Sequence, residues 1–127
     1  MVVLLEAIAH ETTQKVTELL AAPNRRLILA YGGALHNDLT PRAGRESWSF
    51  GPELLQQTSG AYVELDLIVP EFVRDTESWR AFGWYAAFAA QPQSTEARLY
   101  RLNTRSFTLV FPSSNSGILS ETTTKKD

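Results

Sequence analysis

The apolar run Leu27-Ile28-Leu29-Ala30-Tyr31 breaks at Gly32-Gly33 and is followed by Ala34-Leu35-His36-Asn37-Asp38. An apolar run of this kind predicts a strand buried on both faces, which demands a sheet with other elements packed over it. Paired glycines at its end let the backbone turn sharply or approach a ligand closely. Polar groups just past a buried strand stand where open α/β sheets keep their ligand crevice. The run therefore predicts both a fold class and the place of a site.

The other patterns supply the covering elements. Leu5, Ile8, Ala9, Thr12, Val16, Leu19 and Leu20 recur at spacings of three and four, which predicts an amphipathic helix from about Val3 to Ala22. Between Thr40 and Gly60 the periodicity dissolves, leaving room for a short helix from Pro52 to Gln57, where proline suits the first helical position. A second strand, Ala61 to Val69, alternates Ala61, Val63, Leu65, Leu67 and Val69 against Tyr62, Glu64, Asp66 and Ile68. Asp75 suits the N-cap of a helix to Ala90 on which Trp79, Phe82, Trp84, Tyr85 and Phe88 point round most of the circumference. A hairpin, Ala97 to Leu102 and Ser106 to Phe111, closes the pattern. The expected fold is α/β: a small mixed sheet of about four strands with two long helices packed on it and a C-terminal hairpin.

Length predicts a single domain over residues 1–112, with a Ser-, Thr- and Lys-rich disordered tail over 113–127. The net charge of -2 offers no basic field for nucleic acid or anionic lipid. No cysteine is present, which excludes disulfides, thiolate metal sites and a cysteine nucleophile. The segment from Ala81 to Ala90 is far shorter than the roughly 20 residues of a membrane span. Met1 to Leu5 lacks a basic leader and a small-residue cleavage pattern, so no signal peptide is expected and the default location is cytoplasmic.

Three chemistries compete for the polar residues. His36, Asp38, Glu64, Asp66 and Glu71 carry imidazole and carboxylate groups suited to a divalent metal such as Zn²⁺ or Mn²⁺, which activates water for hydrolysis. Glu64 and Asp66 share one strand face roughly 6.5–7 Å apart, twice the rise per residue. His36, Asp38 and Glu64 are then the candidate catalytic residues, with Tyr31, Gly32, Gly33, Arg42 and Arg45 lining a site for a small-molecule or peptide ligand. Tyr31 and His36 are also competent haem ligands, which gives a non-catalytic haem- or metal-binding module. In the third reading the aromatic helix docks on another polypeptide, as a homodimer or on a missing N-terminal half. The structural alternatives are an Asx-like turn at Asn37-Asp38 oriented by His36, a solvent-facing strand for the carboxylates, and ordinary core for the aromatics. No Gly-x-Ser-x-Gly elbow and no phosphate loop ending in Lys-Ser/Thr is present.

Gly33-Ala34-Leu35-His36, at the end of an apolar run and followed by Pro41, resembles the Gly-x-x-His element toward the C-terminal side of the EreA/ChaN/Tiki/TraB superfamily. Its members include haem-binding lipoproteins, metal-dependent peptidases and erythromycin esterases. The resemblance covers Leu27 to Pro41, with Ala61 to Pro70 as a following strand. It implies a hydrolase or ligand-binding domain whose site lies at the loop after the first strand. Those families carry a first histidine motif and a glutamate that nothing here supplies, so the resemblance also implies a C-terminal half.

Overall fold

The computed structural model describes residues 2–23, 27–33 and 35–114. Among these the chain is mixed helix and strand: α1 (Val2–Leu20), α2 (Gly51–Gln57), β1 (Glu64–Ile68), α3 (Glu77–Arg80), α4 (Tyr85–Ala89), β2 (Arg98–Arg101) and β3 (Ser106–Val110). Single 3-10 turns stand at Glu46–Trp48 and Pro70–Phe72. The chain divides into two compact units, Met1–Leu65 and Asp66–Asp127. From residue 115 on, the expected tail lies outside the described residues, as does Ala34.

In the first unit α1 buries the stripe Ala9, Thr13 and Val16, four and three residues apart. Thr13 fits an apolar stripe because its hydroxyl donates to the Ala9 carbonyl at 3.0 Å. Val16 packs with Phe50 and Leu54, and Ile28 and Tyr62 lean on this core. α1 rests against α2 and the Glu46–Trp48 turn. Helix α2 ends where Gly60 adopts a φ of 86°, and the Gly60 amide donates to the Leu55 carbonyl at 2.8 Å. This left-handed C-terminal turn is one that glycine adopts without strain.

The buried strand expected over Leu27–Tyr31 is overturned. Residues 27–33 run with neither turn nor bend and belong to no strand. Leu27 is 88 % exposed, Leu29 85 % and Tyr31 91 %, while Ile28 between them packs on the core. An apolar pattern favours burial, but a strand also needs a neighbour to take its backbone hydrogen bonds. Among the described residues none does so.

The described sheet has three strands in the order β1-β3-β2. The expected hairpin is present: β2 and β3 pair antiparallel from Arg98↔Val110 to Arg101↔Phe107. Asn103 Oδ1 closes its turn by accepting from the Arg105 and Ser106 amides at 2.8 and 3.0 Å. The single helix expected from Asp75 to Ala90 is two short ones. Thr76 caps α3, and the Phe82 and Tyr85 amides donate to carbonyls three residues back, so the chain tightens around Gly83 before α4 begins. Glycine weakens a helix interior, and the break gathers rings that one straight helix would scatter. Trp84 and Phe88 form a core with Val110, and Trp79, Tyr85 and Tyr100 pack against it. Trp84 meets Phe88 edge-on with centroids 5.7 Å apart and Trp79 edge-on at 5.9 Å, the arrangement that aromatic quadrupoles favour. Of the five aromatics expected to need an outside partner, Phe82 alone is exposed.

Two interactions in this unit generate tests. Asp75 takes Arg80 Nε and Nη2 at 2.7 and 2.8 Å and the Tyr85 hydroxyl at 2.9 Å. The Arg80 hydrogen bond, then that from Tyr85, lowers its pKa to about 2. A carboxylate whose folded pKa is depressed contributes stability above its unfolded pKa and loses it as pH falls through the folded value. The melting-temperature gap between the wild type and Asp75→Asn should therefore be full near pH 6 and close as the pH falls toward about 2. The second is a pair of buried hydroxyls. Tyr100 and Thr108 face each other across the hairpin, and neither Tyr100 Oη nor Thr108 Oγ1 has a hydrogen-bond partner among the described residues. A buried unsatisfied hydroxyl costs about 1–3 kcal/mol, so isosteric Thr108→Val should raise the denaturant midpoint.

Candidate functional site

The backbone from His36 to Leu39 is held from several sides within the first unit. The Phe50 amide donates to the His36 carbonyl at 2.8 Å. Ser49 Oγ lies 3.1 Å from the same carbonyl and 2.7 Å from that of Asp38, and it accepts from the Gly51 amide at 3.1 Å. The Tyr62 hydroxyl donates to the Asn37 carbonyl at 2.9 Å, and the Leu39 amide donates to Glu64 Oε2 at 3.1 Å. The segment is therefore clasped by the 48–51 loop and by the side chains of Tyr62 and Glu64. Gly51 makes this closeness possible, because a Cβ there would stand 2.7 Å from both the Asn37 and the Asp38 carbonyl oxygens.

Each expected site residue has a definite place. His36 is buried, and its Nδ1 lies 2.8 Å from the Trp48 carbonyl. A carbonyl only accepts, so Nδ1 carries the proton and the ring ties its loop to the 46–48 turn. Asp38 Oδ1 accepts from the Thr40 amide at 3.0 Å, which is the Asx turn that the sequence allows. Glu64 is buried on the inward side of β1 and Asp66 is half-buried, while Leu65 and Leu67 are exposed, so the carboxylate face is not the solvent face. Tyr31 is open to solvent. Gly32 and Gly33 have no positive φ, and a Cβ at either would meet nothing closer than 3.9 Å. The conformational demands fall instead on Gly44 and Gly60, which have positive φ, and on Gly51, which is crowded. Arg42 and Arg45 are exposed, with the Arg45 guanidinium 5.3 Å from the centre of the Trp48 ring. Among the described residues no three His, Asp or Glu side chains gather as a metal cage.

The sequence pattern did not single out a cleft of about 610 Å³ along α1 and the 41–53 loop, lined by Glu6, His10, Glu46, Ser47, Ser49 and Glu53 among others. Ser47 Oγ donates to Glu6 Oε1 across it at 2.9 Å. Part of its signal was local, since Glu6 and His10 are four apart and share one helix face. The loop's contribution depends on tertiary packing.

Comparison with protein-family models, with curated proteins and with solved structures finds no match to this chain. Among the described residues no helix is long and apolar enough to cross a membrane.

The clasp sets two expectations. Gly51→Ala should destabilise the chain by about 1–3 kcal/mol, because the carbonyls its Cβ would strike are held by hydrogen bonds and yield only with backbone movement. Glu64→Ala should cost more than Glu64→Gln, since glutamine keeps an acceptor oxygen for the Leu39 amide. Urea unfolding of the three variants measures both; an unchanged midpoint for Gly51→Ala would mean that the loop relaxes freely.

Proposed function

We propose that this chain is an interaction module that docks another polypeptide along its Leu27–Tyr31 run. The observation that carries the reading is the exposure of Leu27, Leu29 and Tyr31 on a straight segment whose backbone pairs with no other described residue. Ile28 anchors the segment on the core of Val16, Phe50 and Leu54, so the run is presented from a packed support. An incoming strand would gain main-chain hydrogen bonds from the backbone and apolar contacts from alternate side chains, the two components of strand addition. Large apolar side chains grouped on a surface are a recognised mark of protein interaction.

The hydrolase, metal and haem readings draw less from this geometry. His36, Asp38 and Glu64 each hold a backbone group, and Tyr31 is exposed where His36 is buried. The aromatic docking surface expected on the Asp75–Ala90 segment is largely taken up by the second unit's own core.

Selection of random peptides against the chain tests the docking reading. The expected winners are extended, apolar peptides whose affinity falls at least about tenfold, or about 1.4 kcal/mol, with Leu29→Lys. The exposed side chain makes this substitution compatible with an unchanged melting temperature. Winners indifferent to Leu29→Lys, or no winners, would overturn the reading.

A further inference from the structure

We infer that Phe111–Ser114 is a strap latched by the Glu71 carboxylate, closed while that group is ionised and released when it is protonated. Beyond β3 the segment meets Ile68 through Phe111 and Glu71 through Ser114, both 43 positions back, so it runs beside the end of β1 and the following turn in the same direction. Its backbone donors are fully used. The Phe111 amide donates to the Ile68 carbonyl at 2.9 Å, the Ser113 amide donates to that of Ser94 at 2.8 Å, and Pro112 between them has no N–H to give. The Ser114 amide and hydroxyl both donate to Glu71 Oε1 at 2.6 Å.

The first two fastenings join neutral groups and do not respond to pH. The third does, because two donors on one oxygen draw their strength from its charge, and 2.6 Å is the length of a hydroxyl bonded to an anion. Protonation leaves a neutral acceptor, whose bonds are roughly half as strong. Linkage gives the same direction. The Ser114 hydroxyl first, then its amide, holds the Glu71 pKa below the ordinary 4.5, so closure favours the ion and the ion favours closure. The strap is therefore shut above the ordinary carboxylate range and opens as pH falls through the lowered value. The other ionisable groups on the elements it crosses are Asp66 on β1, Arg74 after the turn and Glu96 on the Ser94 loop, and none of them is a source of the Glu71 shift. Arg74 instead donates to the carbonyls of Glu71 and Val73. Release is local: the β2–β3 ladder ends at Val110, so opening moves the last fastened of the described residues from Ser114 back to β3.

Amide hydrogen exchange in the full chain, read residue by residue by NMR, tests the latch. Protection of the Ser113 and Ser114 amides should hold from pH 7 to about 5 and fall below 4.5, while the amides of the β2–β3 hairpin keep theirs. Glu71→Gln keeps an acceptor oxygen and leaves Glu96 in place, so it removes the charge alone. At pH 7 it should speed exchange at Ser114 at least about fivefold and abolish the pH dependence of protection, with the hairpin amides again unchanged. Equal protection of Ser114 in the wild type and Glu71→Gln at pH 7 overturns the proposal. So does an acid loss that the hairpin amides share or that Glu71→Gln retains.

Discussion

The close approach of two backbones at Gly51 is the constraint on which the first unit depends. The Asn37 and Asp38 carbonyls sit against Gly51 with no room for a Cβ. That contact puts Ser49 and Phe50 in reach of the His36 and Asp38 carbonyls and starts α2 in place for Leu54 to enter the core. A loop without regular structure leaves its polar backbone to be satisfied one group at a time. Here Ser49, Tyr62 and Glu64 do that work with side chains, and the buried polar residues of this unit are for the most part the fasteners of one segment.

The second unit solves a different problem. Its central strand β3 buries Ser106, Thr108 and Val110 and leaves Phe107 and Leu109 half-buried. Mass comes from rings: Trp84 stands within 5.7–6.4 Å of Trp79, Phe82, Tyr85, Phe88 and Tyr100. Exposed charge then secures the helices that carry those rings, through Asp75, Arg80 and Tyr85. Farther along, Glu71 Oε1 accepts from both the amide and the hydroxyl of Ser114 at 2.6 Å, and these bonds, the hydroxyl's first, lower the Glu71 pKa.

At the candidate site the sequence was legible in residue type more than in role. His36 and Asp38 lie on the segment that Glu64 holds through the Leu39 amide, and the Asx turn at Asp38 is the one its side chain allows. Their chemistry as a ligand set was read from composition. Whether such groups face a substrate or the chain's own backbone depends on which backbone atoms lie nearby, and here those are the Trp48 carbonyl for His36, the Thr40 amide for Asp38 and the Leu39 amide for Glu64. The glycine pair shows the same limit, since Gly32 and Gly33 share the local signature of a tight turn while the crowding lies at Gly51.

By itself the sequence determined the elements whose periodicity or turn chemistry is local. α1, α2 and the β2–β3 hairpin lie close to where spacing, Pro52 and the Asn103 turn place them. Tertiary structure decided everything that needs a neighbour. It left Leu27–Tyr31 without a strand partner, turned Glu64 inward with Leu65 outward, and broke the aromatic helix around Gly83 so that Trp84 could be enclosed. The physical reason is common to all three: hydropathy says what a residue gains from burial, but only a partner surface supplies the burial.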